Sequence, residues 1–561
     1  MERTDSGTYS RAQYSLQLST VIAVSLTLLA GLLLYYAMTL WKTTTEPDDT
    51  TVVTPLGRIK GIIEHLDADL SAFAFLGVPY GRTTALHRRF RIPKAVGKWR
   101  TLLQANEKRP PCPQPPHYVT STLLLHNAQV TEDCLHLNIW KPPKGSKMPV
   151  LFVIYGSDHV NGGNHAPFID GRYVAAHGGV VVVVPSYRLN LFGFLSSEIV
   201  GIDSNAGLHD LLLALSWVRS NIKSFDGNPD NVIIHGLGSG AVLASNLYVS
   251  PMLKGAVRRF VLQGGSGYTL PQLRRKNDTE DFLEYARRLD CDDSDVDSAL
   301  SCIREQKLED LLLHYNPYDF TFFPRKDGTL LPFDVVDILE RGKLPEAEFL
   351  VGNVMNEGAT FHEYILLRLS GISADEDTMD RIIQRAFDYR LSRYYVPETE
   401  TSAIQRKYEL AKAKEHPGAD VLEVLAEAMG DAMYVCPTCM FADKVAASGS
   451  KVYYYVYDYR PTFSAFDEEA GVGHLEDAYI MFGNAFAARN ATKKEKELSL
   501  RMIRMLSSFA KTGLPWRQGS DKWLPFERHR RFYNVIKLLT SSIAQKFRED
   551  YCTEWKALLY R

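Results

Sequence analysis

Hydrophobic positions follow two regimes along this chain. Between Leu16 and Trp41 there is no charged residue, and Val21 to Leu34 is mostly aliphatic. About 20 such residues suffice to cross a bilayer. Tyr35, Tyr36 and Trp41 gather at one end of the run, as an interfacial belt would. A cleaved signal peptide has an apolar core of only about 7–15 residues and a small-residue cleavage site. This run is longer, and no small-x-small pattern follows it. The pattern predicts an uncleaved signal anchor over 16–41, a short polar head over 1–15 and a polar linker over 42–51.

From Val52 onward the pattern changes to short apolar runs alternating with helical ones. Ala72 to Tyr80 reads as a strand ending in a turn, while Pro149–Tyr155 and Val180–Val184 are uninterrupted apolar strands. Such runs suit a sheet covered on both faces. Leu211 to Val218 reads as a buried helix. Strands alternating with helices predict an α/β fold, a doubly wound and mostly parallel sheet in one domain over 52–561.

The most informative stretch runs from Val232 to Ala244. An apolar strand, Val232 to Ile234, leads into Gly236-Leu237-Gly238-Ser239-Gly240, and Ala241 to Ala244 begins a helix. Strand, sharp turn and helix around Gly-x-Ser-x-Gly make the nucleophile elbow of an α/β-hydrolase. Here the flanking glycines are in place and the nucleophile position is Gly238. A glycine has no side chain with which to attack.

Four further motifs, Phe75–Tyr80, Glu132–Trp140, Tyr187–Leu189 with Gly193–Leu195, and Asn205–Asp210, resemble those of the carboxylesterase/cholinesterase family. They recur in the family's order, and the similarity runs over nearly the whole of 52–561. The resemblance implies an α/β-hydrolase fold with a deep gorge. It also implies three disulfides: Cys112 with Cys134, Cys291 with Cys302, and Cys436 with Cys552. Cys439 is left over; a spare buried thiol or an alternative partner for Cys552 are both readings of it. A six-cysteine framework belongs outside the cytosol. The sequons at Asn277 and Asn490 are consistent with glycosylation. Arg3 and Arg11 precede the apolar run and Lys42 follows it. This weak positive-inside bias agrees with a type II arrangement at the cell membrane, the C-terminal domain outside.

A serine esterase needs a nucleophile, a base, an acid that orients the base, and oxyanion donors. By resemblance His474 stands at the base position and Glu357 at the acid position. The family's His-Gly-Gly-Gly run, whose backbone N–H groups face the developing oxyanion, is here Tyr155-Gly156-Ser157-Asp158. Asp158 puts a Cβ and a carboxylate where close backbone approach was needed. Ser239 is the one neighbouring hydroxyl. The residue after the nucleophile contributes its N–H, so its side chain is expected to point into the helix. Gly238 is expected to let the turn relax. The loop between Cys112 and Cys134 holds no tryptophan for cation–π recognition of choline, and Tyr118 is a weak substitute.

Composition narrows the choice. The formal net charge is -2, which gives no basic excess for nucleic acid. The acidic run Asp292, Asp293, Asp295, Asp297 lacks the mid-loop glycine and final Glu of a calcium loop, and reads instead as an acidic helix start. No cofactor and no metal are expected. An anchored, disulfide-bonded esterase fold without its serine resembles the cholinesterase-like adhesion molecules, neurotactin above all. That resemblance implies heterophilic adhesion to an extracellular protein. The alternatives are a gorge that binds an apolar ligand and a tethered carboxylesterase with another nucleophile. Two apolar stripes near the C-terminus, over Glu495–Lys511 and Ser541–Leu559, read as amphipathic helices that could pair in a homodimer, although such stripes are more often core.

Overall fold

In a computed structural model these apolar runs assemble into a single twelve-stranded sheet. The structure describes residues 22–36, 50–115, 129–195, 202–269, 278–316, 320, 322–369, 376–392, 398–415, 421–516 and 523–560. Two units are distinguished, Met1–Val52 and Val53–Arg561. In the first, residues 22–36 form a helix with exposed apolar side chains. Among the described residues no helix is long and apolar enough to cross a membrane. The ends of the apolar stretch 16–41, the head and most of the linker lie outside the described residues, as do Tyr118 and Asn277.

The strands of this sheet are β1 (Ile62–Asp67), β2 (Leu70–Pro79), β3 (His136–Lys141), β4 (Met148–Ser157), β5 (Asn161–Gly162), β6 (Val181–Pro185), β7 (Gly227–Gly238), β8 (Arg259–Gln263), β9 (Glu348–Val354), β10 (Lys451–Tyr457), β11 (Phe532–Ile536) and β12 (Ser541–Gln545). Their spatial order is β12-β11-β10-β9-β8-β7-β4-β6-β3-β2-β1, with β5 paired to β4. The middle of the sheet, from β11 to β6, is parallel, and both ends are antiparallel. A parallel centre must be covered on both faces, which is why Val150–Ile154 and Val181–Val184 are wholly buried.

Helix α1 (Ala206–Asn221) contains the buried run seen in the sequence, and α2 (Ser239–Val249) leaves the elbow. The motif residues Arg188 and Asp210 are the two halves of a buried ion pair at 2.6 Å, and Arg89 and Glu132 form another. Removing one partner from such a pair strands a buried charge. The acidic run is a helix start: Asp295 accepts from the Ser298 amide at 2.9 Å and caps α3 (Val296–Glu305). Among the described residues no acidic or Cys/His group could hold a metal ion.

Helix α4 (Ala359–Leu369) follows β9. Near the C-terminus the structure departs from expectation. Helix α5 (Lys493–Thr512) forms as predicted, but Leu498, Met502, Ile503, Leu506 and Phe509 all lie in the core against the sheet. That stripe is not free to meet a second copy. The segment expected as one helix over Ser541–Leu559 is instead β12 followed by α6 (Glu549–Leu559). Ile543 therefore sits on a strand opposite Asn534, since the edge of β11 offers unpaired backbone groups that a helix would leave unmet. The three disulfides are Cys112–Cys134, Cys291–Cys302 and Cys436–Cys552.

Candidate functional site

Ligand sites in open α/β sheets lie beyond the carboxyl ends of the strands. Gly238 ends β7, Gly156 and Ser157 end β4, Gly264 follows β8, and Glu357 lies just beyond β9. His474 comes from the long loop after β10. These positions converge on one cleft, with about 870 Å³ of empty space including its mouth.

The two residues expected at the base and acid positions are brought together. His474 Nδ1 is 2.5 Å from Glu357 Oε2, and the Glu357 side chain is 1% exposed. Glu357 Oε1 accepts from Asn353 Nδ2 at 2.6 Å and from the Val354 amide at 3.1 Å. The Asn353 carbonyl in turn accepts from Tyr454 OH, which lies 3.4 Å from Cys439 Sγ. Cys439 is thus a half-buried thiol beside the Asn353–Glu357 contact; desolvation pushes its pKa up to about 12. Gly264, at φ 61°, brings its backbone so close that a Cβ there would meet His474 Cε1 at 2.5 Å. On the other side Tyr434 stacks on the imidazole, centroids 4.2 Å apart. Tyr434 comes from a π-helical turn, Asp431–Val435.

The elbow has not relaxed. Gly238 has φ 58° and ψ -125°, a conformation costly for any residue with a Cβ. Its neighbours hold it there. A Cβ on Gly236 would meet Gly240 O at 2.5 Å, and one on Gly240 would meet Ile154 O at 2.0 Å. The turn is pinned between β4 and α2 whatever residue stands at 238. A Cβ at Gly238 would lie 3.6 Å from His474 Nε2. The imidazole is aimed at a side chain that is not there.

The altered oxyanion segment is a tight hairpin. Asp158 and His159 have φ 49° and 59°, and Val160 N donates to Ser157 O at 2.9 Å. Positive φ at both central residues is the signature of mirror-image hairpin turns. β5 then returns along β4, pairing Gly162 with Gly156 and Asn161 with Ser157. The His159 amide donates to Ser239 Oγ at 3.2 Å. The Ser239 hydroxyl is thus turned toward this hairpin, not into the helix as expected, because an N–H donor awaits it there. Its Oγ would lie 2.6 Å from a Cβ on Gly156, so only glycine admits it. Among the described residues no hydrogen bond joins Ser239 to His474.

The sequence pointed to Gly156, Ser157, Asp158, Gly238, Ser239, Glu357 and His474, and all line or support this one cleft. It did not point to His159, Thr360, Phe361, Tyr364, Met433 or Tyr434, which complete the walls. No motif marks them; only the Gly264-Gly265 pair after β8 hints that a backbone must approach closely here. Asn490 is exposed, and its Nδ2 donates to Thr462 O at 2.7 Å. The site holds a His–Glu pair and largely apolar walls, and the Gly156 carbonyl oxygen lies 2.8 Å from where a Cβ on Gly238 would stand.

Residues 48–555 match the carboxylesterase family. The chain is 30% identical to an acetylcholinesterase of Bungarus fasciatus over 530 residues, covering 91% of this chain and 86% of that protein. It is 28% identical to a cholinesterase of Mus musculus over 544 residues, covering 93% and 89% respectively. The sheet has the α/β-hydrolase type of fold, and the chain belongs to the carboxylesterase family.

Proposed function

We propose that this chain is a catalytically inactive, esterase-like domain. In this reading it is held at the cell surface by the apolar stretch 16–41 and engages an extracellular protein partner. One observation carries the inactive part: His474 Nε2 faces Gly238, which offers no atom to attack a carbonyl. Loss of the nucleophile alone costs on the order of 10⁶ in turnover in a serine hydrolase. The oxyanion segment adds a second loss, since one missing donor costs about 10²–10³. Three disulfides support a domain outside the cytosol, and the surface role follows the resemblance to the cholinesterase-like adhesion molecules, neurotactin in particular. The test is hydrolysis of short acyl esters by the purified chain, beside a cell-mixing assay. The reading expects no turnover, and clustering of expressing cells with non-expressing ones. Turnover lost in Ser239→Ala would establish a tethered esterase instead.

The preserved cleft favours a second reading alongside the first, in which the gorge binds a small and largely apolar ligand without hydrolysing it. Small-molecule sites have mostly apolar walls, and Val242, Phe361, Met433 and Leu475 line this one.

A further inference from the structure

Away from the cleft, charge is distributed unevenly. The chain holds 64 basic and 66 acidic residues, yet no Asp or Glu occurs between Asp69 and Glu107, where seven Lys and Arg do. Arg89 and Arg91 of that stretch are paired, with Glu132 and Asp203. Arg82, Lys94, Lys98 and Arg100 are exposed and, among the described residues, meet no carboxylate. Arg58 is a fifth such cation.

The backbone gathers these five. Residues 94–100 form a strap without regular secondary structure. At one end Arg82 N donates to Lys94 O at 2.9 Å, Arg82 Nε to Ala95 O at 3.2 Å, and Val96 N to Tyr80 O at 3.1 Å. At the other end Trp99 N donates to Leu56 O at 2.9 Å and Trp99 Nε1 to Arg58 O at 3.0 Å. Beyond the strap, Leu103 and Gln104 pair in parallel with Ile59 and Lys60. Seven residues reach at most about 25 Å, so the five cations lie along one short stretch of surface, fixed at both ends.

Like charges so placed repel one another, and a surface that needs only solubility intersperses both signs. A polyanion relieves that repulsion and gains by releasing its own counterions. Which polyanion follows from the surroundings. Single-stranded nucleic acid is held by aromatic faces set among the cations. Here Trp99 lies against Gly57, where a Cβ would collide with the indole, and its N–H is already bonded to Arg58. Anionic lipid concentrates in the cytoplasmic leaflet, on the far side of the membrane from a domain outside the cell. A sulfated sugar chain needs no stacking platform and is met outside the cell.

We infer that the strap 94–100, with Arg58 and Arg82, binds a linear sulfated polysaccharide. Its sulfates accept charge-assisted hydrogen bonds from the guanidinium and ammonium groups. This rests on the part of the proposed function that places the domain outside the cell, and it adds a glycan to the protein partner proposed there.

The test passes the full chain, in phosphatidylcholine nanodiscs, over an immobilised heparin oligosaccharide at about 0.15 M salt. Saturable binding is expected, its logarithm falling linearly with the logarithm of salt concentration. Lys94→Ala, Lys98→Ala and Arg100→Ala together should weaken it about tenfold or more. None of those three side chains makes a contact among the described residues, so the fold is expected to stand. Lys254→Ala, Lys326→Ala and Lys343→Ala together remove the same charge from exposed positions elsewhere, and should change affinity by no more than about twofold. No saturable binding, equal binding of fully desulfated heparin, or the same loss in both triple variants overturns the inference. So does tighter binding to phosphatidylserine vesicles than to the oligosaccharide, which would make the strap a lipid contact. Biotinylation of intact expressing cells reports the placement separately: an unlabelled chain would end the surface reading, while the binding data still decide what the strap takes.

Discussion

His474 Nε2 lies 3.6 Å from the point that a Cβ on Gly238 would occupy. The imidazole at the family's base position thus faces residue 238, with Glu357 behind it at 2.5 Å, and residue 238 carries no side chain. The strained elbow is retained although nothing is presented on it.

Restoring the side chain should restore chemistry in part. Gly238→Ser is expected to react with a fluorophosphonate where the unaltered chain does not. The reaction should be slow, because a Cβ at 238 meets the Gly156 carbonyl oxygen at 2.8 Å and must shift it, and Asp158 and His159 form a hairpin closed on Ser239. Adding Asp158→Gly should speed it by about tenfold or more, as a recovered oxyanion donor would. Labelling followed by intact mass reads both. An unlabelled double variant of native fold would mean that His474 and Glu357 do not work as a base.

Glu476 sits directly after the His474 loop and gives the fold a pH dependence. It accepts from the Gly473 amide at 2.9 Å, and burial raises its pKa to about 7 from an ordinary 4.5. Between those values the folded state keeps a proton that the unfolded chain has released. This contribution to stability is therefore fully present below pH 4.5 and is lost as pH rises through 7. Glu476→Gln mimics the protonated form. From pH 5 to pH 8 it should gain on the unaltered chain by roughly 2–3 kcal/mol. Thermal unfolding of the two at both pH values checks this, and parallel curves would contradict it.

Cys439 is expected to be inert despite its spacing from Cys436. Its pKa is pushed up to about 12 by burial, and the thiolate is the reactive form. Iodoacetamide at pH 8 should leave it unmodified in the native chain and alkylate it fully in denaturant. Rapid native alkylation would place it in an open, activated environment that the structure does not have.

Helix α5 should matter to stability and not to assembly. Leu506 is fully buried in the sheet core, so Leu506→Ala is expected to cost about 2–5 kcal/mol. The sedimentation coefficient of the folded fraction should not change. A shift in oligomeric state at unaltered stability would return α5 to the surface of an assembly.

The sequence made the sheet, the elbow, the dyad and the cysteine pairs legible, and for physical reasons. Parallel strands buried on both faces read as unbroken apolar runs, and glycines at 236 and 240 are demanded by contacts that no side chain could share. What it did not disclose depends on contacts distant in sequence. The direction of the Ser239 hydroxyl is set by the His159 amide, 80 residues earlier. The hairpin at Asp158 and His159 needs positive φ at residues that carry no glycine signal. Ser541–Gln545 has an apolar spacing compatible with a helix, yet pairs with β11 because a strand edge was waiting for it. Tyr434 reaches His474 only through a π-helical turn.

The most direct test of the central claim is fluorophosphonate labelling of the unaltered full-length chain, read by intact mass. The structure, with Gly238 before the base and Ser239 bonded to His159, predicts no mass increment. A stoichiometric adduct, mapped to Ser239 or to any other residue of the cleft, would contradict the account and make this protein a working hydrolase.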